Sequence, residues 1–289
     1  MEMRVSSLRG VTPLLLAGVL LTRCSCDFFG TTGKLLISED DEARLGAEFD
    51  RHLRDSAQAE FPLFKADTPQ KLAFETYVKS LAQEILAGVP AKQRPDYAFT
   101  FTLIDKDVEN AFAVPGGYVY FYTGIIKKMQ DESELAGVMG HEIAHVTQHH
   151  YRDAVAKGAT FSLVLQALLG NDAGALAQTV AGSFFQLAQL KVSRGNEEEA
   201  DKFGTRYAAA VKRNPMGIAK YFARAQASGL PDWLSTHPGS DNRVADVTKQ
   251  VNSEPALKAV AADSAVTNYQ SRFKANTQVI GKTNTQAIR

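Results

Sequence analysis

The sequence predicts an α+β fold that is mainly helical, with a small β-sheet at one edge beside a helix carrying two histidines. Three observations lead there. Apolar residues recur at three- and four-residue spacing along most of the 289 residues, as they do in helices with one buried face. Two stretches, 97–104 and 111–122, instead alternate in strand fashion or run in apolar and aromatic residues, and they are bounded by turn-forming ones. A composition of 45% hydrophobic and 22% charged residues suits a chain with one substantial core.

Taken in order, the chain opens with Arg4 and Arg9 ahead of the apolar run Val11 to Leu21, which is the length of a signal-peptide h-region and short for a bilayer span. An export signal is expected over residues 1–26. Both cysteines, Cys24 and Cys26, lie just past that run, so the body of the chain has no disulfides. Ser38-Glu39-Asp40-Asp41-Glu42 reads as a cap followed by an acidic first turn and predicts a helix to Leu53. Thr68-Pro69 predicts a second, ending near Gly88 and Pro90. The run 97–104 reads as a strand followed by the polar turn Asp105 to Asn110. Residues 111–122 then read as two short strands around Pro115-Gly116-Gly117, an edge strand or hairpin to which an extended peptide could add.

The most informative stretch is His141-Glu142-Ile143-Ala144-His145, on a helix expected from Asp131 to Tyr151. Histidines four apart share one helix face and can bind one zinc ion, while Glu142, beside them, is placed to act as general base towards a metal-activated water. Random placement in a chain of this composition gives on the order of 0.006 matches. His149 and His150 lie beyond the pair and are expected to be solvated. Two apolar segments follow, 159–169 and 175–190, interrupted by polar residues and too short to cross a membrane; they read as a helical hairpin, either core helices or a lid.

Ser193 to Asp201 starts another helix. Glu197 and Asp201, four apart, can both face the zinc helix, with Ala200 small enough to let the two approach; Glu198 and Glu199 turn away. Two histidines leave a catalytic zinc short of one protein ligand, which makes Glu197 the expected third. Asp201 is then the group expected to hold a ligand histidine by its outer nitrogen.

Together, His141-Glu142-x-x-His145, the later Glu197-x-x-x-Asp201 and the Asn110-Ala-Phe-Ala-x-Pro-Gly-Gly stretch resemble the HtpX and CAAX prenyl protease superfamily of gluzincin metallopeptidases, most nearly its exported bacterial members. The likeness spans about residues 37–251 and implies a zincin-like domain with one Zn2+ per chain. The stretch Trp233-Leu-Ser-Thr-His237-Pro, with Arg243 six residues after His237, is also similar to one these peptidases carry. The resemblance implies that His237 approaches the metal, as a fourth ligand in a closed resting form or beside the reacting carbonyl, with Arg243 stabilising it or the developing charge. The expected organisation is an export signal over 1–26, a metallopeptidase domain over 34–252, and a C-terminal helix and polar tail over 253–289.

The expected function is zinc-dependent endoproteolysis of misfolded or envelope proteins in the periplasm; the competing expectation is a periplasmic chaperone or assembly factor for outer-membrane proteins with a metal-ordered groove. The partner is a peptide or unfolded protein. Equal numbers of basic and acidic residues, 32 each, exclude nucleic acid as a principal partner. Leu21-Thr22-Arg23-Cys24 is similar to a bacterial lipoprotein signal, although Arg23 stands where a small residue is usual. It implies an N-terminal lipid on Cys24 and an outer-membrane anchor.

Overall fold

The computed structural model describes residues 37–152, 192–227, 233, 237 and 242–281. The export segment with Cys24, the two apolar segments 159–169 and 175–190, and the last eight residues lie outside that set.

Helix α1 (Glu39–Asp55) starts at a capping box in which Ser38 and Asp41 satisfy each other's backbone N–H groups. Helix α2 (Pro69–Ala87) is capped by the Thr68 side chain, with proline at its first position. Strands β1 (Thr100–Ile104), β2 (Ala111–Val114) and β3 (Tyr118–Tyr122) form one sheet in the order β1-β3-β2. β1 runs parallel to β3, with Thr100 opposite Tyr118, and β2 pairs antiparallel with it, Val114 opposite Tyr118. The hairpin between β2 and β3 turns through Pro115-Gly116-Gly117. Gly116 and Gly117 have φ of 81° and 86°, a left-handed backbone that residues with a Cβ rarely adopt.

Strand alternation splits this sheet cleanly. Phe101, Leu103, Ala111, Ala113, Val119 and Phe121 face the main helical core, while Ile104, Phe112, Val114 and Tyr120 face Leu45, Phe49 and Leu53 of α1. Both faces are therefore covered, and α1 forms the outer layer. Phe112 stacks on Tyr120 at 4.8 Å, and Phe49 meets both rings edge-on.

The remaining described helices are α3 (Thr123–Lys128), α4 (Glu132–Thr147), α5 (Arg194–Ala210), α6 (Gly217–Ala227), α7 (Arg243–Ser253), α8 (Pro255–Ala262) and α9 (Tyr269–Gly281). Helix α4 is the axis of the molecule, with all its residues buried between β2, α2, α5 and α6. Past Ser253 the chain returns to this core: Phe273 and Ile280 of α9 are buried in the main apolar cluster. Arg272 and Arg213 bind the fully buried Glu132 at 2.9 and 2.7 Å, and Tyr77 donates to it at 2.8 Å. A buried carboxylate is tolerated when it is paired and hydrogen-bonded in this way. Among the described residues no helix is long and apolar enough to cross a membrane.

Candidate metal centre

Helix α4 starts where the Asp131 side chain accepts the Glu134 N–H at 3.0 Å, and α5 where Ser193 accepts the Asn196 N–H at 3.2 Å. The two helices touch backbone to backbone. A Cβ on Gly204 would lie 2.6 Å from the Gly140 carbonyl carbon and the His141 nitrogen, and one on Gly140 would lie 2.6 Å from the Gly204 oxygen. Ala200, expected to allow the approach, is buried nearby, but the closest contact belongs to these glycines. Because Glu197, Asp201 and Gly204 recur at i, i+4 and i+7, the same face of α5 carries the contact and both carboxylates.

Four donors meet at this crossing: His141, His145, Glu197 and His237, all buried, offer one ligand atom each within 4.8 Å of one another. His145 Nε2 stands 2.9 Å from His141 Nε2. His141 Nε2 is 3.3 Å from both His237 Nδ1 and Glu197 Oε2, while Glu197 Oε1 is 3.2 Å from His237 Nδ1 and 3.6 Å from His145 Nε2. Donors at zinc bonding distance in a tetrahedron stand roughly 3.3 Å apart, so the spacing fits one such ion.

The outer hydrogen bonds fit it as well. His141 Nδ1 donates to Asp201 Oδ1 at 2.8 Å, and since a carboxylate only accepts, a proton sits on Nδ1 and Nε2 is the nitrogen turned towards the other donors. Arg243 fixes Asp201 in turn, with Nε on Oδ2 at 2.7 Å and Nη2 on Oδ1 at 2.6 Å. A third group, Nη1, donates to the His237 carbonyl at 3.1 Å. Burial opposes a charge on His141, yet Asp201 and Glu197 outweigh it and raise its pKa to about 9. Burial and the neighbouring His141 hold His145 neutral, well below its usual range. Burial alone would raise Glu197; its contacts with His237 and His141 instead keep it well below the usual carboxylate range.

Two sequence expectations are corrected here. The metal helix ends at Thr147 rather than Tyr151, because His149 takes a φ of 54° and breaks it. The break also overturns the reading of the two later histidines as solvated. His149 is only partly exposed and its Nδ1 lies 2.9 Å from Glu42 Oε2. His150 folds back beneath the site, fully buried, with Nδ1 2.9 Å from His145 Nδ1 and Nε2 3.2 Å from Glu199 Oε2. Burial lowers the His150 pKa to about 4 against the pull of Glu199, which keeps the ring neutral. Its Nε2–H donates to Glu199, and its Nδ1 accepts from His145 Nδ1–H. Each α4 histidine therefore has its outer nitrogen tied down, His141 by Asp201 and His145 by His150.

Glu142 sits beside the donors without joining them. Its Oε1 accepts the Trp233 indole N–H at 3.0 Å and lies 3.5 Å from His237 Nε2. Its buried Oε2 has no hydrogen-bond partner among the described residues. The structure thus brings together His141, Glu142, His145, Glu197, Asp201, His237 and Arg243, and adds His150 and Trp233.

Sequence comparisons agree with this geometry. A Vibrio cholerae protein is 35% identical over 198 residues, which are 63% of this chain and 40% of that protein. The beta-barrel assembly-enhancing protease of Escherichia coli is 30% identical over 240 residues, 77% of this chain and 46% of that protein. The mitochondrial metalloendopeptidase OMA1 of Danio rerio is 28% identical over 231 residues, 72% of this chain and 48% of that protein. The chain spans less than half the length of these relatives. The family model described as Peptidase family M48 matches residues 73–251, more than half of the chain and all of the donor set: the chain belongs to peptidase family M48.

Proposed function

We propose that the chain is a zinc-dependent endopeptidase that cleaves misfolded or envelope proteins. The observation that carries this reading is the pairing of four donors within 4.8 Å of one another with a buried Glu142 carboxylate oxygen beside them that has no partner among the described residues. His141, His145 and Glu197 would hold a zinc ion, which when bound would supply a Lewis acid for the carbonyl and for the attacking water. Glu142 Oε2 takes the proton of the attacking water and returns it to the leaving amine. Asp201 and His150 orient the two α4 imidazoles, and Arg243 holds both Asp201 and the backbone of His237. His237 would be a fourth ligand in a closed resting form, and water and substrate would then enter as its ring moves aside. Among the described strands β2 is the edge nearest α4, where an extended peptide would pair once the Tyr151 hydroxyl gives up its bond to the Ala113 backbone.

Beta-barrel assembly in the names of the bacterial relatives and the expected export signal support an envelope setting, and we infer a periplasmic location with a lipid on Cys24. Mass spectrometry of the mature N-terminus should show a lipidated Cys24; an unmodified start beyond Cys26 removes the anchor. The word assembly in those names also supports the second reading, a chaperone for outer-membrane proteins. Proteolysis of casein tests the first. Suppression of client aggregation by Glu142→Gln, which cannot cleave, tests the second.

His150→Phe keeps the ring but loses both nitrogens, so zinc affinity measured by chelator competition should fall about 10- to 100-fold. Unchanged affinity would show that His145 needs no support from it.

A further inference from the structure

We propose that Trp233 is the positioning residue for the Glu142 carboxylate, holding one oxygen so that the other is presented to the water. The inference rests on Glu142 as the base. A glutamate carboxylate turns with little resistance about its last torsion, so a base whose two oxygens are free spends much of its time misdirected. Here the indole N–H takes Oε1 at 3.0 Å and leaves Oε2 unpartnered among the described residues. Indole is a neutral group that donates and cannot accept. It can hold the carboxylate in either protonation state and cannot take the proton the base must carry.

The indole itself is held from three sides. Its ring stacks on Phe222 at 5.5 Å and 15°, meets Tyr221 edge-on at 5.5 Å, and lies 5.2 Å from the His141 ring at 72°. Its backbone N–H donates to the Glu109 carbonyl at 2.9 Å, and the Tyr221 hydroxyl donates to the Glu109 carboxylate at 2.9 Å. The donor is thereby referenced to α6 and to the turn before β2, both independent of the metal ligands. Such support is what keeps a catalytic group within a few tenths of an ångström of its working place.

Trp233 is the one tryptophan of the chain, so every indole signal reports this bond. The test combines kinetics on fluorescein-labelled casein with ultraviolet resonance Raman spectra of the metal-free and zinc-loaded protein. Trp233→Phe keeps an aromatic ring against Phe222 and removes the donor; kcat should fall about tenfold or more with KM within about twofold and zinc content unchanged. The Raman mode sensitive to the indole N–H should show a strong hydrogen bond in the wild type, with or without zinc, and a weaker one in Glu142→Ala. If Trp233→Phe does not fold, replacing tryptophan throughout by its benzothienyl isostere, which exchanges N–H for sulfur at this one position, should give the same loss in kcat. An unchanged or raised kcat in the folded variant, or a free N–H in the wild-type spectrum, overturns the proposal. If Glu142→Gln still cleaves, the base assignment itself has failed; if it is inactive while Trp233→Phe is fully active, this inference alone has failed.

Discussion

Glu142→Gln should remove peptide hydrolysis while leaving the fold and the metal donors unchanged. General acid–base catalysis contributes about 10²- to 10⁴-fold, and kcat on casein should fall by that much or more. The amide fills the same volume and still offers an oxygen to the Trp233 N–H, so neither packing nor the metal donors should change. Stability should stay within about 1 kcal/mol, because the amide nitrogen replaces an oxygen of the same size and leaves one buried polar atom in the same place. The checks are a casein assay, zinc content and a thermal melt on one preparation. A variant that cleaves normally, or one that loses zinc and melts early, would contradict the assignment.

The second large effect is expected far from any polar chemistry. Gly204→Ala puts a methyl group 2.6 Å from the backbone of Gly140 and His141, against an ordinary contact of 3.4 Å or more, and backbone atoms cannot rotate away. The two helices must part, and Glu197 moves with α5. Overpacking of this kind costs about 1–3 kcal/mol. The larger consequence is at the centre, where metal–ligand distances tolerate about 0.2 Å and a displacement near 1 Å costs roughly 100-fold in rate. Zinc affinity and kcat should both collapse while the helical circular dichroism persists. Gly195→Ala is the control on the same helix: among the described residues its methyl would meet nothing closer than Ser193 Oγ at 3.9 Å, so stability should rise by about 0.4–1 kcal/mol with activity unchanged. Equal behaviour of the two variants would show that the helix crossing does not set the site.

The difference between those glycines marks what could be read without coordinates. The i, i+4 spacing of His141 with His145, and of Glu197 with Asp201, is a local property of a helix, so the donors and their faces were legible in the sequence. That the helices cross at Gly140 and Gly204 was not, since Ala200 looked equally able to admit a neighbour. Helical periodicity places His150 in solvent only on an unbroken helix; the left-handed turn at His149 redirects the next side chain beneath His145. Only the adjacent histidines hinted that this end of the helix carries more than a solvated face. Glu199, rotated away from the metal on the helical wheel, meets His150 for the same reason. The amphipathic stripe of α1 foretold that it buries a face, and not that the face covers the far side of the sheet. For Trp233 the signal was its place four residues before His237, and nothing local said which acid its N–H would meet.

The claim on which the rest depends is that one ion sits where α4, α5 and His237 converge. X-ray absorption at the zinc edge on the purified protein tests it most directly. The account predicts about one zinc per chain in a shell of nitrogen and oxygen only, imidazole scattering from the histidines, and a shell that loses its oxygen donor or its metal in Glu197→Ala. A zinc-free protein that still cleaves casein, or a zinc shell unchanged by Glu197→Ala, would contradict it.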